Sequence, residues 1–200
     1  MKLRDLVFVG LSILSGVSCD AAAQDKMVYN CSRYIHNWGI PEWSGEKADH
    51  INPVLSIDEN FGDKQDSMSL KLNLSFSGEA WSAGIIEANG VFDLTLYRAL
   101  TFSVYLPSDA PKGIEARAII VSGDDFKWIE MGRSFVVEPG RKTVIKANLK
   151  NGCRDWRIKG EQIVLTEALK QDIRKVAIRI ESNVVKYDGP IYLDDIQIEK

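Results

Sequence analysis

The sequence has few residues of the types that build most catalytic and metal centres. Only two histidines and three cysteines occur among its 200 residues. A metal site with three histidines is therefore excluded, and neither a Ser-His-Asp nor a Cys-His arrangement has a local signature. His36 and His50 lie in the N-terminal part without metal-ligand spacing. We interpret both as loop residues.

The carboxylate pattern of a glycan-cleaving sandwich enzyme is also missing. A laminarinase-like hydrolase needs an E-x-D-x-x-E run on one strand to supply its nucleophile and its acid, and no such run occurs. Asp194 and Asp195 are adjacent, but neighbours on a strand point to opposite faces and cannot share one anomeric carbon. We expect that the chain is not an enzyme.

The sequence has no cluster of one charge sign. Its 25 basic residues are interspersed with 28 acidic ones, and the formal net charge is -3. Binding along a phosphate backbone needs a stripe of Lys and Arg. The balance predicts no nucleic-acid partner and favours a neutral ligand.

Long apolar runs are missing except near the N-terminus. Lys2 and Arg4 precede the run from Leu6 to Val17, which is too short to span a bilayer and is typical of a signal peptide. We predict that residues 1–23 are this signal. The location is then secreted, periplasmic or on the cell surface.

The cleavage site has two candidates. Ala21 to Ala23 supply the small residues that an ordinary signal peptidase requires. Gly16 to Cys19 form a loose lipoprotein box, which predicts a lipid anchor at Cys19 and an outer-membrane lipoprotein. The sequence leaves both open.

Either cleavage leaves two cysteines, Cys31 and Cys153, in the folded part. Because an exported chain meets an oxidising compartment, we predict a disulfide between them. The alternative is two unpaired buried thiols.

Helical periodicity is scarce, whereas apolar residues alternate with polar ones along much of the chain. Residues 24–60 hold prolines and glycines without a sustained period and are predicted to be an extended segment packing on the domain. From residue 67 onward, alternation predicts eight strands separated by Gly-, Pro- and Asn-rich turns, two of them at Asn89-Gly90 and at Asp188 to Pro190. Many short strands at this spacing form a sandwich or a barrel. The strands are predicted near 67–76, 80–88, 100–106, 114–121, 127–132, 142–149, 174–181 and 190–199.

One short helix is predicted from Thr166 to Arg174, with Thr166 as its N-cap. No internal repeat or low-complexity tract divides the chain. Residues 61–200 are therefore predicted to form one all-β domain.

Four segments carry a resemblance to a known group. They read DSMSLKL from Asp66, AWSAG from Ala80, FDLTLYRALTFSVYL from Phe92 and GPIYLDDIQI from Gly189. In this order and spacing the chain resembles jelly-roll carbohydrate-binding modules of the galactose-binding-like sandwich type, which occur beside glycoside hydrolases such as mannanases and glucanases.

The resemblance implies a two-sheet antiparallel β-sandwich whose concave sheet binds an oligosaccharide. It also implies a structural Ca²⁺ on the other side. Asp194 matches the position that generally helps to hold that ion, and Asp63 and Asp66 are candidate additional ligands, since calcium takes several oxygen ligands. The alternative for Asp63 and Asp66 is a solvated acidic loop.

Sugars present apolar C–H faces ringed by hydroxyl groups, so a binding site needs an aromatic plane and fixed polar groups. Alternation places Trp128 and Glu130 on one face of their strand, and it turns Arg117, Arg179 and Glu181 away from apolar neighbours on theirs. The predicted ligand contacts are Trp81 and Trp128 for stacking, Arg117, Glu130, Arg179 and Glu181 as polar partners, and Trp38 or Trp43 at the rim.

Each of these residues has an alternative interpretation. Trp81 lies beside small residues, where a large ring also fills a core. The charged residues can form cross-strand ion pairs on a solvated sheet.

The expected function is non-catalytic binding of a β-mannan or β-glucan polysaccharide or oligosaccharide, with a glycoside hydrolase acting nearby. The alternative is an exported structural or adhesive sandwich that binds a protein through Trp81 and Trp128.

Overall fold

The computed structural model describes residues 26–29, 37–59 and 68–200. The predicted signal peptide, Cys19, Cys31, Asp63 and Asp66 lie outside these residues. Within the described ranges, no helix has both the length and the apolar character needed to cross a bilayer.

The described chain forms two antiparallel sheets that face each other. The strands are β1 (Lys26–Tyr29), β2 (Trp38–Gly39), β3 (Val54–Glu59), β4 (Met68–Phe76), β5 (Ser82–Phe92), β6 (Ala99–Tyr105), β7 (Ile114–Ser122), β8 (Lys127–Met131), β9 (Phe135–Val136), β10 (Lys142–Asn148), β11 (Trp156–Ile158), β12 (Glu161–Ile163), β13 (Ile173–Ser182) and β14 (Tyr187–Glu199).

The smaller sheet has the order β10-β6-β14-β4-β3, with β1 paired to β14. The larger sheet has the order β12-β11-β8-β7-β13-β5-β2, with β9 paired to β7. The predicted two-sheet antiparallel sandwich is thereby confirmed.

The core between the sheets follows from the alternation in the sequence. Along β4, Leu70, Leu72 and Leu74 are buried, whereas Lys71 reaches the outer face and donates to Asp58 over 2.7 Å. On β7, Ala116, Ala118 and Ile120 are buried in the same core. Each strand thus has one face toward the core and one face toward the outside.

The predicted strand positions agree with the structure to within a few residues, but two of the predicted turns, at Asn89-Gly90 and at Asp188 to Pro190, are wrong. Asp188 to Pro190 lie inside β14, where they pair with β4. Asn89 and Gly90 lie inside β5, which continues to Phe92. This extension pairs with β13, where Phe92 lies opposite Ile173 beyond a register shift between Ile173 and Lys175. Cross-strand pairing prevails over the local turn preference of the Asn-Gly pair.

The one α-helix in the described ranges, α1, spans Glu167–Gln171. Thr166 is its N-cap as predicted, and its Oγ1 accepts from the backbone N–H of Leu169 over 3.3 Å. The prediction that the helix continues to Arg174 is wrong, because β13 begins at Ile173 and draws those residues into the larger sheet.

The segment 24–60 contributes strands to both sheets. β1 and β3 belong to the smaller sheet and β2 to the larger one. Between β2 and β3, a 3₁₀ helix at Glu42–Glu46 carries Trp43 toward the outer face of the larger sheet, where its ring packs on a cluster that contains Ile85.

Candidate functional site

Five of the predicted ligand contacts lie on the outer face of the larger sheet, as the alternation in the sequence predicts. Across the strands, Arg117 lies opposite Arg179, and Glu130 lies opposite Ile119. Trp128 and Glu181 occupy the same face in neighbouring rows. Their placement agrees with the prediction, while their contact with a ligand remains a prediction.

An apolar floor lies in the middle of this face. Ile85, Ile119, Val121 and Ala177 form a buried cluster separate from the main core. They are buried because two indoles, Trp43 and Trp128, pack against them from outside. Removing either ring would expose the floor to water, at roughly 25 cal/mol per Å² of apolar surface.

Four aromatic rings form a wall beside this floor, those of Trp43, His50, Trp81 and Trp128. The ring centroids of Trp43 and Trp128 are 5.8 Å apart in edge-to-face geometry. The ring of His50 lies 5.2 Å from that of Trp43 and 5.6 Å from that of Trp81. Lys47 places its ammonium 4.8 Å from the Trp43 ring centroid, a favourable cation–π distance.

The wall and the floor enclose a cavity of about 480 Å³, which we call the aromatic cavity. This volume lies in the range of small-molecule sites. Three of the predicted site residues line it: Trp43, Trp128 and Arg179. The sequence analysis missed six others, namely Lys47, His50, Glu87, Val121, Phe126 and Lys175.

A buried ion pair supplies polar groups to the cavity wall. Lys175 donates to Oε1 of Glu87 over 2.6 Å. The other oxygen of Glu87, Oε2, is buried and has no hydrogen-bond partner among the described residues. Since a carboxylate accepts several hydrogen bonds, Glu87 retains unused acceptor capacity. Alternation in β5 gives the signal for Glu87, which is polar between the apolar Ile86 and Ala88. Lys175 follows Arg174 and has no such pattern.

His50 is oriented by its neighbour Asp49. Its Nδ1 lies 2.7 Å from Oδ1 of Asp49, and because a carboxylate only accepts, Nδ1 carries the proton. This hydrogen bond lowers the pKa of Asp49 below its ordinary value. The His50 imidazole is one of the side chains that line the cavity. The sequence predicts a loop residue at His50 because no local pattern shows that the loop folds back against β5.

The four predicted polar contacts pair with one another. Arg117 donates to Oε1 of Glu181 from Nε over 2.8 Å. The Nη2 of Arg179 lies 2.9 Å from Oε2 of Glu130, and its Nε lies 3.0 Å from Oε2 of Glu181. Of the four, Arg179 lines the aromatic cavity. The other three belong to the ion-pair network that positions its guanidinium group. This network matches the alternative interpretation of these residues as cross-strand ion pairs.

Trp81 has a similar positioning role. The guanidinium carbon of Arg179 lies 5.5 Å from the centroid of its ring, and Trp81 is not among the residues that line the cavity. Trp81 therefore contacts Arg179 through a cation–π interaction, and it also contacts His50. Its half-buried position allows a second contact with a long ligand.

Trp38 does not form the rim. Only 4% of its surface is exposed, and it belongs to the core between the sheets. It lies opposite Ala88 on β5, and Ala88 faces the core. The prediction is wrong for Trp38 because β2 joins the edge of the larger sheet with this residue pointing inward. Trp43 provides the rim instead.

The predicted calcium site is described only at Asp194. Burial raises the pKa of this carboxyl group, and its Oδ1 accepts from the backbone N–H of Asp195 over 2.8 Å. No group of three or more His, Cys, Asp or Glu residues suited to a metal occurs in the described ranges. Asp63 and Asp66 lie outside them, and the Ca²⁺ site remains a prediction.

The predicted disulfide is described only at Cys153. The thiol is half-buried, burial raises its pKa, and Sγ donates to the carbonyl oxygen of Asn148 over 3.3 Å. Cys31 lies outside the described residues, so the pairing remains a prediction.

The sequence matches no protein-family profile. It also matches no curated protein sequence.

Solved structures show the same fold. The chain is similar to the CBM27-1 module of Caldicellulosiruptor saccharolyticus in complex with mannohexaose, with a TM-score of 0.61, 19% identity, and coverage of 87% of this chain and 96% of that one. It is similar to CBM28, a carbohydrate-binding module specific for non-crystalline cellulose, with a TM-score of 0.59, 16% identity and coverage of 82% and 88%.

A third similar structure is the family 11 carbohydrate-binding module of Clostridium thermocellum with a β-1,3-1,4-mixed-linked tetrasaccharide. Its TM-score is 0.52 and its identity 10%, over 86% of this chain and 94% of that one. The chain has the β-sandwich fold that these carbohydrate-binding modules share.

Proposed function

We propose that this chain is a non-catalytic module that binds a polysaccharide or oligosaccharide of the β-mannan or β-glucan class in the aromatic cavity. The observation that carries the proposal is the juxtaposition of two indoles, Trp43 and Trp128, with the Glu87–Lys175 ion pair on the wall of one cavity.

The apolar half of the site suits a pyranose ring. The C–H face of a sugar stacks on an indole and excludes water from both surfaces. Trp43 and Trp128 are already held by the floor beneath them. Little side-chain entropy is lost on binding, which favours affinity.

The polar half of the site offers both donors and acceptors to sugar hydroxyl groups. Lys175 and Arg179 donate, and Glu87 accepts. This mixture suits hydroxyl groups, which do both, better than it suits an ion of either sign. The similarity to modules solved with mannohexaose and with a mixed-linked tetrasaccharide supports the same ligand class.

The absence of catalysis is part of the proposal. Glycoside hydrolysis uses two carboxyl groups on either side of the scissile bond. Among the described residues that line the aromatic cavity, Glu87 is the one carboxylate, and it is paired with Lys175. We also propose that the chain is exported, with or without a lipid at Cys19, and serves a glycoside hydrolase acting nearby. A surface anchor would raise the effective affinity of a modest binding site through avidity.

Affinity gel electrophoresis tests the proposal. The mature chain is run in gels containing soluble β-mannan, mixed-linked β-glucan or a soluble cellulose derivative. Retardation by at least one of them, with no release of reducing sugar on long incubation, is expected. Indifference to every polysaccharide would instead favour a protein-binding sandwich.

A further inference from the structure

A second cavity lies beside the larger sheet, and its charge differs from that of the aromatic cavity. It has a volume of about 450 Å³ and is lined by the end of β8, the loop after it, β10 and the β11 region. Four cationic side chains line it against one carboxylate, that of Asp155; the cations are Arg133, Lys146, Arg154 and Arg157. We call it the basic pocket. It lies on a chain whose formal net charge is -3.

The arginines of this pocket are not engaged by carboxylates. Arg117, Arg174 and Arg179 each form an ion pair. In contrast, none of the three arginines of the basic pocket has a carboxylate oxygen within 4.0 Å among residues 26–29, 37–59 and 68–200. The pocket therefore holds uncompensated positive charge.

The three arginines are exposed, and local structure brings two of them close to the end of β8 without neutralising them. The guanidinium carbon of Arg133 lies 4.9 Å from the centroid of the Phe135 ring, which leaves its N–H edges free for bidentate hydrogen bonds. A Cβ atom at Gly132 would lie 3.5 Å from Nε of Arg157 and 3.2 Å from the carbonyl oxygen of Asp155. Glycine at this position thus allows Arg157 and the Asp155 backbone to approach the end of β8.

The one acid of the pocket, Asp155, keeps its charge there and is hydrogen-bonded to a second lining residue, whereas the lysine forms an ion pair with β14. Oδ2 of Asp155 accepts from Nδ2 of Asn148 over 2.8 Å. The ammonium of Lys146 lies 3.6 Å from a carboxylate oxygen of Glu199. The positive field of the pocket therefore comes mainly from the arginines.

The basic pocket is connected to the aromatic cavity through β8. Trp128, near the start of β8, lines the aromatic cavity. Met131, at the end of β8, and Gly132, directly after it, line the basic pocket. Four residues of extended chain separate Trp128 from Gly132, which is about 13 Å. On the same face, Arg157 of β11 lies opposite Glu130. One extended polysaccharide can therefore reach both cavities.

We propose that the basic pocket binds a carboxylate or sulfate substituent of an acidic polysaccharide whose backbone occupies the aromatic cavity. The inference rests on the proposed function and narrows its ligand class. A planar guanidinium group pairs with an oxyacid through two parallel hydrogen bonds, and three such groups meet here. A nucleic acid would need a basic stripe rather than one pocket on an acidic chain.

Isothermal titration calorimetry with three probes of one backbone tests the inference. The probes are a soluble β-glucan, its carboxymethylated derivative and its sulfated derivative. The mature chain is expected to bind one or both charged derivatives about 10-fold more tightly than the neutral glucan at low salt. The advantage should shrink at high salt, because exposed charges are screened.

Two variants localise the effect. The double variant Arg154→Ala/Arg157→Ala is expected to lose the advantage of the charged probe and to bind the neutral glucan unchanged. The control Arg141→Ala removes an exposed arginine outside the pocket and is expected to keep the advantage. Circular dichroism confirms that both variants are folded.

The outcomes separate this inference from the proposed function. Equal affinity for neutral and charged probes, or equal losses in Arg141→Ala and the double variant, would overturn the inference and leave the proposed function standing. A charged probe that binds through Arg154 and Arg157, while the neutral glucan does not bind, would support anion binding in the basic pocket. The same result would contradict the proposal that the aromatic cavity binds an uncharged polysaccharide backbone. An oligonucleotide that binds as tightly, with the same dependence on the variants, would overturn the polysaccharide assignment.

Discussion

The indole of Trp43 meets the indole of Trp128 edge to face, with ring centroids 5.8 Å apart. One ring comes from the 3₁₀ helix between β2 and β3, and the other from β8. Both cover the apolar floor on the outer face of the larger sheet. Both rings also line the aromatic cavity, which gives the first prediction.

Trp128→Ala is expected to weaken binding of the preferred polysaccharide by at least about 10-fold, on the order of 1.4 kcal/mol. Trp43→Ala should have a similar effect, because each ring holds the other. Affinity electrophoresis measures the loss. Tyr105→Ala is the matched control, since Tyr105 lies opposite Tyr192 on the outer face of the smaller sheet. Equal retardation of Trp128→Ala and wild type would rule out the aromatic cavity as the binding site.

Glu181 is expected to be the most sensitive residue of the guanidinium–carboxylate network. It is 3% exposed and lies within ion-pair distance of both Arg117 and Arg179. Glu181→Gln keeps its shape but leaves the buried Arg179 and the half-buried Arg117 with Glu130 as their shared carboxylate, which costs about 2–3 kcal/mol of unfolding free energy.

Urea denaturation followed by tryptophan fluorescence measures this cost. Glu138→Gln, an exposed position without an ion pair in the described part of the chain, should change stability by less than about 0.5 kcal/mol. A similarly small change in Glu181→Gln would mean that the network behaves as an exposed ion pair.

Much of the fold was predictable because period-2 alternation directly reports which side chain faces the core. Arg117, Trp128 and Arg179 reach the same face of the larger sheet for this reason. Trp38 could not be placed, since a two-residue strand has too short a pattern to define its inward side.

The contribution of the N-terminal segment depends on tertiary contacts. Trp43 and His50 reach the aromatic cavity because their loop crosses over β5, where His50 forms an isolated bridge to Ala83. No local pattern encodes such a crossing. Glu87 was detectable as a polar residue on a buried strand, but its pairing with Lys175 requires the register between β5 and β13.

Lys170 is expected to stabilise the end of the sandwich that carries α1. It is 1% exposed, and its ammonium donates to the carbonyl oxygens of Thr95, Tyr97 and Leu149 over 3.0, 3.0 and 2.8 Å. Lys170→Met removes all three donors and leaves buried acceptors unpaired, with an expected loss of about 3 kcal/mol or more. Lys150→Met, at an exposed lysine, is the control. Equal urea midpoints for the two variants would contradict this role.

The calcium proposal predicts a change in stability rather than in ligand contacts, because Asp194 lies on β14 of the smaller sheet, away from the aromatic cavity. Removal of Ca²⁺ by a chelator should lower the melting temperature, and Ca²⁺ in excess should restore it. At 100 times the dissociation constant the ion contributes about 2.7 kcal/mol. Asp194→Asn should abolish the response. A melting temperature that is the same with chelator and with Ca²⁺ would contradict the proposal of a structural Ca²⁺ ion.

Tyr187 gives a prediction at alkaline pH. Burial raises its pKa from 10.0 to about 12, and its hydroxyl donates to the carbonyl oxygen of Pro190 over 2.7 Å. Between these two pH values the unfolded chain loses the phenolic proton while the folded chain keeps it. The unfolded state then binds fewer protons, so stability must fall as the pH rises through this window.

The contribution of Tyr187 is therefore fully present below about pH 10 and lost as the pH approaches 12. Tyr187→Phe cannot ionise, so the stability difference between wild type and this variant should shrink across the window. Urea denaturation at a series of pH values measures the difference, and absorbance at alkaline pH reports phenolate formation. A difference that stays constant from below pH 10 to near 12 would show that the hydroxyl ionises equally in both states and would contradict a pKa raised by burial.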